Sequence, residues 1–233
     1  MSSKQHFVVI GDTHYPAVDK RVINEVLKYV SDNDVTHIVQ IGDLYDLFAF
    51  SRFAKTLNWM TPKDELALAR TGAELMWKEL RKAAPKAKCI QLLGNHDARI
   101  QKKILDRIPE FESLFDTQVL FKFKDVYTAP SDKTEIIIGD KLFIHGHSSR
   151  LGQHMRRNGK NTICGHSHKG GVFYEKFLGG VLYEANAGYT GDPDQPVFKY
   201  GPQDTDNWTR GFLTIDGDGP KFICLENKLY DKK

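Results

Sequence analysis

Cysteine is scarce and long apolar runs are absent. The 233 residues hold three cysteines, Cys89, Cys164 and Cys224, far apart and with no CxxC pair. That argues against a disulfide framework and a cysteine-built zinc site, and it fits a reducing compartment. No apolar stretch approaches the ~18 residues of a membrane-spanning helix. The opening Met1-Ser-Ser-Lys-Gln-His6 lacks the charged head and apolar core of a signal peptide, so the expected setting is cytoplasmic, with no membrane partner. Neither sign of charge dominates. The 33 Lys+Arg face 30 Asp+Glu, and a formal charge of +3 is too slight by itself to argue for nucleic acid. With 40% apolar and 27% charged residues the balance is that of a globular chain with a sizeable core. The length favours a single domain over residues 1–233.

What is present alternates. Residues 6–10 form a short β-branched run closing on Gly11-Asp12-Thr13-His14, the pattern of a buried strand. Val22, Ile23, Val26, Leu27 and Val30 recur at helical spacing and predict a helix over 18–32. Residues 35–41 predict a second strand, ending at Gly42-Asp43. Pro62, then Leu66, Ala69, Ala73, Met76 and Leu80, predict a long helix. Residues 89–93 predict a third strand, ending at Gly94-Asn95-His96-Asp97. Strand and helix in turn imply parallel pairing. Further on, 135–138 and 141–144 flank Gly139-Asp140 as a hairpin that ends at His145-Gly146-His147. Residues 150–157 have helical potential, and 162–164 lead into Gly165-His166-Ser167-His168. Strands are predicted at 172–177, 180–186, 210–215 and 221–225, while 189–207, rich in Asp, Gly and Pro, read as a long surface loop. Helical insertions are expected near 47–72 and 99–123.

Set side by side, the predicted strand ends deliver Asp12, His14, Asp43, Asn95, His145, His166 and His168. Ligands of open α/β sheets bind at the carboxyl ends of strands, so these groups are expected to converge. Residues two apart in an extended segment point the same way, which pairs Asp12 with His14 and His166 with His168. Nitrogen and oxygen donors without a thiolate suit divalent transition metals, and seven are too many for one ion. Two ions sharing a carboxylate form the clamp used for in-line displacement at phosphorus.

The order Asp12-x-His14, Gly42-Asp43-x-x-Asp46, Gly94-Asn95-His96-Asp97, His145-Gly146, Gly165-His166-x-His168 resembles the calcineurin-like metallophosphoesterase superfamily. The likeness spans residues 11–168 and implies a four-layer α/β/β/α sandwich, two mixed sheets flanked by helices, with a dinuclear site. It implies Asp12, His14 and His168 as ligands of one ion and Asn95, His145 and His166 as ligands of the other, with Asp43 as the bridge. It also implies His96 at the leaving-group oxygen, oriented by Asp97. The implied activity is phosphodiester hydrolysis by in-line attack of metal-bound hydroxide on a nucleotide-like ester, with Mn²⁺ favoured and Fe, Zn²⁺ or Ni²⁺ as alternatives. Phosphoprotein phosphatases of the superfamily carry Arg-Gly after the second motif and Glu after Asn-His; Leu47-Phe48 and Asp97 depart from both. A DNA or RNA nuclease is the alternative reading, and a phosphomonoesterase or a non-catalytic scaffold ranks behind it.

Beyond the motifs, Arg99 and His147 are read as substrate-binding groups. Lys102, Lys103, Arg150, Arg156, Arg157 and Lys160 suit either a phosphate track or solvated faces. Phe48, Phe50, Phe53, Trp59 and Trp77 suit either helix packing or base stacking. Asp46 is either structural or a support for the ligands; His6 and His154 read as surface groups.

Overall fold

The computed structural model describes residues 5–52, 60–114, 117–199 and 207–230. Strand β1 (Phe7–Ile10) is buried on both faces, and its alternation decides the layering. Val8 and Ile10 pack with Val22, Val26 and Val30 of α1 (Lys20–Asp32) and with Ala73, Met76 and Trp77 of α2 (Pro62–Ala83). Phe7 and Val9 face the other way, into a second core shared with Phe143, Ile163, Tyr183 and Ala185. Helix α1 starts where the Asp19 carboxylate accepts from the Arg21 N–H. Helix α2 starts at Thr61, whose hydroxyl accepts from the Asp64 N–H, with Pro62 in the first turn.

The first sheet contains β1, β2 (His37–Gln40), β3 (Lys88–Gln91), β4 (Val126–Thr128), β10 (Gly211–Asp216) and β11 (Gly219–Cys224). Its order is β11-β10-β1-β2-β3-β4, parallel from β1 to β4. Strand β10 runs antiparallel along β1, with Phe7 opposite Ile215. The second sheet contains β5 (Ile136–Ile138), β6 (Lys141–Phe143), β7 (Asn161–Cys164), β8 (Gly170–Phe177) and β9 (Gly180–Ala187), in the order β5-β6-β7-β9-β8. On its far side α4 (Gln153–Asn158) lies against β7 and β9, where the buried Glu184 carboxylate accepts from the N–H groups of Gly152 and Met155. The result is helix, sheet, sheet, helix, with two mixed sheets as the sequence predicts.

Two expectations change. The loop expected over 189–207 is no surface excursion through its first half: Tyr189, Thr190, Val197 and Phe198 are buried. Gly191 bridges to Val18, Tyr189 bridges to Arg210, and the Thr190 hydroxyl donates to the Gly11 carbonyl. Residues 200–206 lie outside the described residues. The aromatic set also divides. Phe48 and Trp77 are buried packing residues, Phe50 is partly buried, and Phe53 and Trp59 lie outside the described residues. Helix α3 (Arg99–Arg107) falls within the second expected insertion, and α5 (Glu226–Tyr230) closes the described chain.

Candidate metal centre

The loops after β1, β2, β3, β6 and β7 meet and are tied to one another by their own backbone. His14 N–H donates to the Asp43 carbonyl at 3.0 Å, Tyr15 N–H to Leu44 at 2.8 Å, and Gly165 N–H to His145 at 3.0 Å. Close approach is possible because of two glycines. A Cβ on Gly94 would stand 2.1 Å from Asp43 Oδ1, and one on Gly165 would stand 2.8 Å from Asp12 Oδ1.

Strain gathers here too. The left-handed region is uncommon for residues with a Cβ, and His14, Asp43, His166 and His168 all occupy it, with φ of 50°, 51°, 67° and 59°. Each costs on the order of 1–2 kcal/mol, which the surrounding contacts must hold in place.

At one end, His14 Nε2 and His168 Nε2 face each other at 3.0 Å, and His168 Nε2 lies 3.5 Å from Asp12 Oδ2. At the other, Asn95 Oδ1 lies 3.1 Å from His145 Nε2 and 2.8 Å from His166 Nδ1, with Asp43 Oδ2 at 3.3 Å from His145 Nε2. Second contacts fix which ring atom is offered. His14 Nδ1–H donates to Asp46 Oδ1 at 3.1 Å and His145 Nδ1–H to the Ile41 carbonyl at 3.1 Å, leaving both Nε2 atoms as the ones turned inward. All seven donors singled out in the sequence therefore lie in these two adjoining groups.

The charges fit cations. Asp12 Oδ1 and Oδ2 are buried without a hydrogen-bond partner among the described residues. Burial, with Asp43 adding repulsion, raises the Asp12 carboxyl to about 7 although His145 and His14 pull it down. Burial pushes the Asp43 carboxyl up, yet the His145 and His96 imidazoles outweigh it and hold it well below the usual range. Burial lowers His145, but Asp43, Asp12 and Asp97 raise it overall to about 10, while burial lowers His166 to about 4. A buried carboxylate without a hydrogen bond is costly, and the imidazoles at 3.5 and 3.6 Å offset that only in part. A divalent ion between oxygen and imidazole donors removes that cost, so the residues present fit divalent metals.

Asp46 has a role the sequence left open, and Asp97 a different one from that expected. Asp46 Oδ1 accepts from His14 Nδ1 at 3.1 Å and from His96 Nδ1 at 3.0 Å. Although Asp46, His14 and His96 lie within ligand distance of one another, two ring N–H groups aimed at one oxygen describe donors to an acceptor, not three acceptors around a cation. Burial pushes the Asp46 carboxyl up, but those two hydrogen bonds hold it below the usual range. Asp97 was expected to orient His96. Its carboxylate instead accepts from the N–H groups of Leu44, Tyr45 and Gly94 at 3.1, 2.9 and 2.8 Å, clamping two ligand loops. The reason is one of reach: the Asp97 carboxylate is taken up by backbone N–H groups of its own turn and of the loop after β2, so Asp46, not the neighbour of His96, meets the ring.

Arg99 Nη2 donates to His96 Nε2 at 3.0 Å and Nη1 to the Asp46 carbonyl at 2.6 Å. His147 is exposed and its ring stands edge-on to His154 at 4.8 Å. His154 is buried, contrary to the surface reading, because it lies on the inward face of α4 beside Met155. Lys102 pairs with Asp132 and Arg156 with Glu175. Sequence reasoning missed an aromatic wall: Trp208 lies edge-on to His168 at 4.1 Å, Tyr189 stacks on His168 at 5.3 Å, and Phe198 meets His14 at 5.4 Å. Its only signal was aromatic residues inside a Gly- and Pro-rich segment.

A calcineurin-like phosphoesterase family model matches residues 5–177. The Gene 54 proteins of Mycobacterium phages D29 and L5 are each 27% identical to this chain over 241 residues, covering 93% of it and 91% of theirs. Among solved structures, Vps29 of Entamoeba histolytica complexed with Zn²⁺ is 14% identical with a TM-score of 0.47, over 96% of this chain and 94% of that one. The Pseudomonas putida nuclease MPE is 12% identical with a TM-score of 0.36, over 93% and 86%. Those structural scores are too low to bear on activity. The match that spans most of the chain does: the protein belongs to the calcineurin-like phosphoesterase family.

Proposed function

We propose that the protein is a metal-dependent phosphodiesterase acting on a nucleotide-like ester. One ion would be held by Asp12, His14 and His168, the other by Asn95, His145 and His166, with Asp43 shared; donors without sulfur favour Mn²⁺, ahead of Fe, Zn²⁺ or Ni²⁺. The observation that supports the reading is the buried Asp12 carboxylate, without a hydrogen-bond partner among the described residues and facing ring nitrogens of His168 and His145 at 3.5 and 3.6 Å. When bound, the ions supply Lewis-acid charge at the phosphoryl oxygens and acidify a water molecule.

The chain's own groups do the rest. Asp46 holds His96 through Nδ1, so Nε2 is the ring atom available to a departing oxygen. Arg99 steadies that nitrogen in the absence of substrate and presents a guanidinium to a non-bridging phosphate oxygen. Beside Asn95, His145 and His166 opens a cavity of about 550 Å³, walled by His147, Lys133, Thr134 and Arg157, a volume that suits a nucleotide-sized group. Lys133 and Arg157 have no ion-pair partner among the described residues, which favours polynucleotide as a second reading. Steeply salt-dependent cleavage supports that reading, and a flat response removes it.

The test compares bis-p-nitrophenyl phosphate with p-nitrophenyl phosphate in Mn²⁺, beside Asp43→Asn. The diester is expected to react faster, with the activity lost in the variant. A monoester preference, or a variant as active as wild type, overturns the reading.

A further inference from the structure

Behind the two ligand groups runs a buried chain of side-chain amides. Gln40, Gln91 and Trp77 are buried, none of them in reach of substrate. Gln40 grips the backbone on both sides of one residue: its Oε1 accepts from Gly42 N–H at 2.9 Å, and its Nε2 donates to the Gly42 carbonyl at 2.8 Å, so it holds the peptides before and after Gly42. Its Nε2 also reaches Thr13 Oγ1 at 3.4 Å, and Thr13 Oγ1 donates to the Leu44 carbonyl at 3.0 Å. Gly42 precedes Asp43, and Thr13 stands between Asp12 and His14. One side chain therefore touches both loops that carry the carboxylates of the centre. Gln40 is itself held: Gln91 Nε2 donates to its Oε1 at 2.5 Å, and Trp77 Nε1–H of α2 donates to Gln91 Oε1 at 3.2 Å.

Such an arrangement is more than core filling. Gly42 lies at φ 105° and Asp43 at φ 51°, so the two peptides that Gln40 holds belong to a segment with no intrinsic preference for its conformation. A side-chain amide that satisfies both the N–H and the carbonyl of Gly42 is the contact that over-determines that segment. We propose that Gln40, braced by Gln91 and Trp77, is a positioning residue that sets Asp43 against Asp12 and His14, so that the two donor groups act as one site sharing a carboxylate. This rests on the two-ion reading above.

The test measures Mn²⁺ binding by equilibrium dialysis on the full chain, with low-temperature EPR and metal-free thermal unfolding alongside. Wild type is expected to bind two equivalents with a spin-coupled spectrum. In Gln40→Leu the second equivalent is expected to weaken at least ~10-fold, as removal of outer contacts to metal ligands does, and the spectrum to become that of isolated Mn²⁺. Trp77→Phe, which leaves every direct contact to the ligand loops in place, is expected to weaken it severalfold in a chain that still unfolds cooperatively without metal, at a melting temperature lowered by the lost packing and the unpaired Gln91 oxygen. If Gln40→Leu does not fold, Trp77→Phe decides. A folded variant that binds both equivalents with wild-type affinity and a coupled spectrum overturns the proposal. A wild type that binds no Mn²⁺ overturns the two-ion reading first, and this inference with it.

Discussion

Asp46→Asn is the substitution whose effect can be worked out most fully. The carboxylate, itself buried, accepts from two imidazole N–H groups, buried His14 at 3.1 Å and partly exposed His96 at 3.0 Å. The amide oxygen of Asn can accept from both, so the two bonds are kept without their charge; the NH₂ that replaces Oδ2 faces the Arg99 guanidinium, so the loss worked from the two bonds is a minimum. Hydrogen bonds to charged groups contribute about 1.5–3 kcal/mol and neutral ones about 0.5–1.5, so each loses about 1 kcal/mol. Together that is roughly 2 kcal/mol, or about 30-fold. The two shares separate by assay. The His14 share weakens metal affinity about 5-fold, since that ring's Nε2 belongs to a donor group. The His96 share lowers kcat about 5-fold at saturating metal. Mn²⁺ titration followed by kcat at saturation reads them in turn. Wild-type values for both would refute the role assigned to Asp46. Asp97→Asn is the control: the single amide oxygen cannot serve three backbone N–H groups, so at least ~2 kcal/mol of stability is expected to go, seen as a lower melting temperature.

Gly94→Ala puts a Cβ 2.1 Å from Asp43 Oδ1 and 2.4 Å from its backbone nitrogen; Mn²⁺ binding is expected to fail, whereas Gly179→Ala, which meets nothing within 4 Å, is expected to bind as wild type. Asp19 predicts a pH dependence. Burial raises its carboxyl, but the Arg21 hydrogen bonds and the Arg21 and Arg210 charges hold it below the usual range. A carboxyl lowered in the folded state contributes stability above the unfolded value of ~4, lost as pH falls through the folded one. Asp19→Asn is therefore expected to flatten the acid side of a melting-temperature profile; an unchanged slope would contradict the assignment.

Much of this was legible because the chemistry sits at the ends of regular elements. A β-branched run that stops at Gly-Asp or Gly-Asn-His announces both a strand and what it delivers, and two-residue spacing places Asp12 beside His14. What escaped depends on contacts distant in sequence or on local direction. Strand β10 joins β1 across some 200 residues of chain, and no local period records such a pairing. Asp97 follows His96 directly, yet it turns to backbone N–H groups, while Asp46, 50 residues earlier, meets the ring. His154 looked solvated because basic residues flank it, but α4 turns it inward under the sheet. Residues 189–199 carry the turn composition of a surface loop and still supply Tyr189 and Phe198 to the aromatic wall, since Gly191 and Thr190 pin the segment to the first loop.

Anomalous diffraction from crystals soaked in Mn²⁺ bears most directly on the central claim. Two peaks are predicted, one among Asp12, His14 and His168 and one among Asn95, His145 and His166, with Asp43 between them. No peak among these donors, in crystals that diffract well and hold Mn²⁺ elsewhere or nowhere, would contradict it.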